Sequence, residues 1–128
     1  MRGMQRWMTC ALLAVVTACG PAVGGGTVAR GGSRLISEAE IQQATAPNML
    51  ELVQQLRPSW IQPRAVANSR GFPTVYVGSQ ELGPVERLRE IGTDNVREVR
   101  FMNGPEASSR FGAGVPYGVI QVILDIGG

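Results

Sequence analysis

Val96-Arg-Glu-Val-Arg-Phe-Met-Asn-Gly-Pro-Glu-Ala-Ser-Ser-Arg-Phe-Gly112, continued by Ala113-Gly-Val-Pro-Tyr-Gly-Val-Ile-Gln-Val122, is the stretch on which the fold turns. From Val96 to Met102 the residues alternate. Val99 and Phe101 point one way and Glu98 and Arg100 the other, the period-two pattern of a half-buried strand. Asn103 and Gly104 break that pattern, and Pro105 suits a first helical position because its φ is already helical and its missing N–H would have no partner there. A short helix over 105–111 follows. In it Glu106 lies near the positive end of the dipole, four residues before Arg110, so the two are expected to pair. Gly112 stops the helix. The last strand, near 118–125, puts Ile120, Val122, Leu124 and Ile126 on one face and Val119, Gln121, Ile123 and Asp125 on the other, as in an interior strand.

A strand, a Gly-Pro turn, a short helix ending at Phe-Gly, a glycine-bearing loop and a Gly-Val-Ile strand together resemble the plug domain of TonB-dependent outer-membrane receptors. The residues that carry the resemblance are Val99 to Met102 with Gly104, Pro105, Ala107, Phe111, Gly112, Gly118, Val119 and Ile120, and it extends less sharply back to about Pro73. The resemblance implies a small mixed sheet with short helices, an α+β fold similar to a receptor plug. The chain departs from the family at Gly78-Ser79-Gln80-Glu81, where plugs commonly carry an Asp-Gly turn. In whole receptors the plug sits inside a β-barrel of about 22 strands. A chain of 128 residues is expected to have no such barrel, and its Gly-rich segment holds no convincing TonB-box-like sequence.

The first residues read as an export signal. Arg2 and Arg6 precede the apolar run Ala11–Val16, which is too short to span a bilayer, and small residues follow up to Ala18-Cys19. Val16-Thr17-Ala18-Cys19 further resembles a lipobox, in which the cysteine is acylated before cleavage in front of it. Residues 1–18 are thus expected to be a lipoprotein signal peptide and Cys19 the lipidated first residue of the mature chain. Cys10 then leaves with the signal, so no disulfide can form within one mature chain. Gly20 rather than an aspartate follows the cysteine, which favours the outer membrane, on the periplasmic side. Residues 19–34 are Gly-rich and aperiodic and read as a flexible tether, with a reach of roughly 20 Å.

The folded domain is expected over 35–128. Ser37 with Glu40 forms a capping box, Ile36 and Ile41 are spaced as a staple, and a helix should run over 38–44. Asn48 caps a second helix over 49–57, whose Met49, Leu52, Val53 and Leu56 form an apolar stripe ended by Pro58. Trp60 is expected in the core, and residues 63–73 read as a polar loop. Thr74–Val77 reads as a strand, and a helix over 84–91 turns Val85, Leu88 and Ile91 inward. With a strand at 97–102, the expected sheet core is Val75, Val77, Val99, Phe101, Ile120 and Val122.

Composition limits the chemistry. The chain has no histidine and no lysine, and no thiol remains free once Cys19 is acylated, so no catalytic residue is assigned. For the same reason neither a cofactor nor a metal is expected. Without its signal the chain carries ten arginines against ten acidic residues, scattered among one another, which argues against nucleic-acid binding. Two functional classes remain. One is an interaction module, anchored to the membrane by its lipid, that docks on an outer-membrane barrel or another envelope protein in transport or assembly. The other is a periplasmic small-ligand binding protein that uses the sheet-end loops 66–72, 78–82 and 113–117. Gln80, Arg110 and Tyr117 are the candidate interaction residues.

Overall fold

The computed structural model describes residues 34–126. The expected signal peptide, Cys19 and all of the tether except Arg34 lie outside the described residues. Seven strands are present: β1 Leu35–Ile36, β2 Arg64–Val66, β3 Ser69–Gly71, β4 Thr74–Val77, β5 Gln80–Gly83, β6 Val96–Met102 and β7 Val119–Leu124. Three α-helices, α1 Glu38–Gln43, α2 Met49–Leu56 and α3 Gly104–Phe111, are joined by 3₁₀ helices at Pro58–Ile61 and Val85–Glu90.

The fold is α+β, built on a mixed five-stranded sheet in the order β1-β6-β7-β4-β5, with β2 and β3 forming a separate hairpin. At its centre β7 runs antiparallel to β6 and parallel to β4, pairing Phe101 with Ile120 and Val75 with Ile120. Because successive strand residues face opposite ways, β7 feeds two cores. Ile120 and Val122 join Val75, Val99 and Phe101 under α1, α2 and the 3₁₀ helices, in a cluster that also holds Ile36, Leu52, Val53, Trp60 and Leu88. On the other face Val119 joins Tyr76, Met102, Ala107 and Val115 beneath α3.

Local chemistry explains the helix ends. Ser37 accepts from the Glu40 N–H while Glu40 accepts from the Ser37 N–H, the reciprocal capping box, and Ile36 and Ile41 are both buried in the first cluster. Asn48 Oδ1 accepts from the Glu51 N–H at 3.0 Å. Trp60 is buried and stacks on Phe101 at 5.7 Å between ring centres, as its size required.

Glu40 does a second job. Its carboxylate accepts from Arg57 at 2.9 Å, and the same guanidinium donates to the Leu35 carbonyl at 3.2 Å, so one partly buried pair fastens α1, the end of α2 and β1 together. Burial alone would raise the Glu40 pKa, but the Ser37 N–H and Arg57 outweigh it and hold the carboxyl below its ordinary value.

Four local expectations are corrected. Residues 63–73 are not merely a loop but contain the β2–β3 hairpin, with Val66 paired to Ser69 and a positive φ at Ala67. The helix over 84–91 is a 3₁₀ helix, Val85–Glu90, whose side chains three residues apart eclipse, with Val85 and Leu88 both buried. Residues 80–83 form edge strand β5, antiparallel to β4. Finally, the apolar face of the last strand does not continue outward: Leu124 and Ile126 are exposed, and Val77 is only half-buried.

Candidate functional site

Eight residues of the 104–120 segment, Gly104, Pro105, Ala107, Phe111, Gly112, Gly118, Val119 and Ile120, have roles within the fold itself. Asn103 caps α3 through its side chain, which accepts from the Glu106 N–H at 3.0 Å, and Pro105 sits one place inside the start rather than at it. A Cβ on Gly104 would collide with the Pro116 carbonyl oxygen. Gly118 has φ of 100°, and a Cβ there would lie 2.5 Å from the Met102 carbonyl oxygen, so both conformation and space demand glycine. Ala107 is fully buried, and Phe111 packs on Tyr76 at 4.2 Å between ring centres. Gly112 ends α3 with φ of 95°. Val119 and Ile120 fill opposite faces of the central strand.

The three loops considered together do not meet. β4 and β7 start at the same end of the sheet, where the Thr74 N–H donates to the Gly118 carbonyl at 3.0 Å, and that end gathers residues 66–72 and 113–117. The 78–82 turn, with Gln80 exposed upon it, lies at the opposite end, where the Gly78 N–H donates to the Val122 carbonyl. At the first end Tyr117 is half-buried and structural: its ring covers Gly71, and its hydroxyl lies 2.8 Å from Ser69 Oγ, latching the hairpin to the loop after α3. Val115 is buried in the second cluster. The apolar side chains exposed at this end are instead Val66, at 38%, and Phe72, just after the hairpin, at 48%. Sequence reasoning missed these two because a run without alternation gave no strand to place them on.

A second feature flanks α3. Glu106 does not pair with Arg110 but with Arg34, at 3.2 Å between two exposed side chains. Among the described residues Arg110 makes no ion pair, and its guanidinium lies 5.9 Å from the Phe111 ring centre. Between α3 and the β1–β6 edge runs a groove of about 450 Å³, lined by Arg34, Leu35, Arg100, Phe101, Met102, Glu106 and Arg110. Strand pairing continues a polar row across this face of the sheet, from Arg100 to Gln121 to Tyr76 to Glu81. Gln121 donates to the Gly78 carbonyl at 2.6 Å, yet its Oε1 is buried and has no hydrogen-bond partner among the described residues. Burial and the nearby Glu81 carboxylate push the Tyr76 hydroxyl above its ordinary pKa.

The arrangement offers guanidinium donors and a carboxylate beside an open groove. Among the described residues no three His, Cys, Asp or Glu side chains are grouped to hold a metal ion, and no helix is long and apolar enough to cross a membrane. Compared with protein families, with characterised proteins and with solved structures, the chain matches none.

Proposed function

We propose that the chain is a lipid-anchored protein of the outer membrane whose plug-like domain serves as an interaction module, accessory to transport or assembly in the envelope. The observation that supports it best is the contiguous β6–α3–β7 unit, in which each glycine, proline and alanine of the plug-like motif has a packing or backbone reason. The signal-like start and the Cys19 lipobox supply the anchor in this reading. An anchor raises the local concentration of membrane partners, so a small docking surface suffices.

The hairpin end, with Val66 and Phe72 exposed, is the docking surface, and the 78–82 turn faces away from it. Photocrosslinking in intact cells tests this. A crosslinker in place of Phe72 is expected to recover an envelope protein, and one in place of Gln80 is not. Recovery of no envelope protein from either position, with a purified domain that saturably binds a small molecule, would replace this reading by the ligand-binding one.

A further inference from the structure

We infer that the groove between α3 and the β1–β6 edge receives the phosphate of an anionic phospholipid headgroup and seats the domain against the membrane. Three observations lead there. The first is charge concentration: residues 34–126 contain nine arginines and ten acidic residues, yet the groove is lined by three of the nine and only one of the ten. Glu98, which Arg100 holds, adds a second carboxylate beside the groove, so three arginines meet two acidic groups and a domain without net positive charge keeps one place with a net positive charge.

The second is geometry. Arg100 comes from a strand, Arg110 from a helix and Arg34 from the segment entering β1, so three separate elements deliver guanidinium groups to one groove. Guanidinium offers a planar fork of N–H donors that matches phosphate oxygens two at a time. Arg110 has no ion pair among the described residues, and the Arg34–Glu106 pair is 61% and 50% exposed, so it holds Arg34 only weakly against a competing anion. Arg100 is bound to Glu98 at 2.5 Å, which fixes its position beside the groove. Leu35 and Met102 give the groove apolar lining suited to the carbon chain next to a headgroup phosphate.

The third is location, and here the inference rests on the lipid-anchor reading. The tether from Cys19 joins the domain at Arg34, itself a lining residue, so the groove lies beside the point of attachment. A Gly-rich segment of that length reaches roughly 20 Å, which brings headgroups within range of it.

The test uses the exported chain carrying Cys19→Ser, so that acylation contributes nothing to binding. Co-sedimentation with vesicles of phosphatidylcholine plus phosphatidylglycerol is expected to recover the chain, and vesicles of phosphatidylcholine alone are not. The double variant Arg100→Gln with Arg110→Gln should weaken binding about thirtyfold, the effect of two arginines at an anionic surface. Arg87→Gln with Arg89→Gln removes the same charge near the opposite face and should leave binding within about twofold of the parent. Equal losses in the two doubles would mean diffuse attraction and would overturn the assignment. So would undiminished binding of the first double, or displacement by inorganic phosphate at the same phosphate concentration as the headgroups, which would make a free anion the ligand. Matching thermal unfolding of the variants keeps the comparison to binding, and Arg34→Gln provides an independent variant at the groove rim. Because the assayed protein carries no acyl group, failure to bind leaves the anchor reading standing. Conversely, absence of an acylated Cys19 from membrane fractions would remove that reading without touching the vesicle result.

Discussion

The two faces of the central sheet are built from the same strands and differ in almost everything else. Under α1 and α2 lies a continuous apolar cluster that includes Trp60, Leu52, Leu88, Val99 and Ile120. Under α3 the cluster shrinks to Tyr76, Met102, Ala107, Val115 and Val119, and the row beside it is polar, with Arg100, Gln121 and Glu81. Apolar area removed from water is the main favourable term in folding, so stability should reside on the first face. The second face retains charge and a groove at some cost in burial, which suits it to contact with other molecules.

This contrast is open to direct measurement by denaturant titration. Trp60→Ala removes the largest buried side chain of the first face and should cost about 3 to 5 kcal/mol. Met102→Ala, its counterpart on the second face, should cost about 2 kcal/mol, the low end for such a truncation. Equal costs would erase the distinction between the faces. Between these two falls Glu40→Ala, expected to cost about 3 kcal/mol because it leaves Arg57 partly buried without its carboxylate.

The sign of the pH effect separates the faces as well. The folded pKa of Glu40 is depressed, so its contribution is complete above the ordinary value of 4.5 and is lost as pH falls through the folded value. Glu40→Gln should flatten that acid limb. Tyr76 behaves in the opposite sense: its folded pKa is raised, so the protein loses stability as pH climbs past 10.0, where unfolded tyrosine ionises and the folded one resists. Tyr76→Phe should abolish this alkaline loss while costing under 1 kcal/mol at neutral pH, since the hydroxyl meets Glu81 only at 3.5 Å. An unchanged alkaline limb would show that Tyr76 is not the group responsible.

The first face was much more legible in the sequence than the second, and the reason is physical. Caps, an i, i+3, i+4, i+7 stripe and period-two strands are local patterns, and Ser37, Asn48, Leu52 and Val99 all stand where those patterns put them. The hairpin at 64–71 has no such pattern. It is held by distant partners: Arg64 lies 4.3 Å from the Phe101 ring centre and donates to the Ser59 carbonyl, and Ser69 meets Tyr117 across 48 residues. The groove was equally hidden, because the helical spacing of Glu106 and Arg110 suggested a pair that the arrival of Arg34 redirected. Tyr117 was placed at the correct end of its strand, but its latch to Ser69 depends on a hairpin that no local rule announced.

The parallel register of β4 against β7, from Thr74 with Val119 to Val77 with Val122, also sets an order of assembly. β6, α3 and β7 are consecutive in the chain and can close on one another over short loops, whereas β4 reaches β7 only after the whole intervening segment has been enclosed. Closing the longer loop costs more chain entropy before any contact repays it. The β6–β7 ladder is therefore expected to form before β4 and its hairpin partner β5 dock on it, and pulse-labelling hydrogen exchange during refolding should protect the amides between β6 and β7 before those shared by β4 and β7.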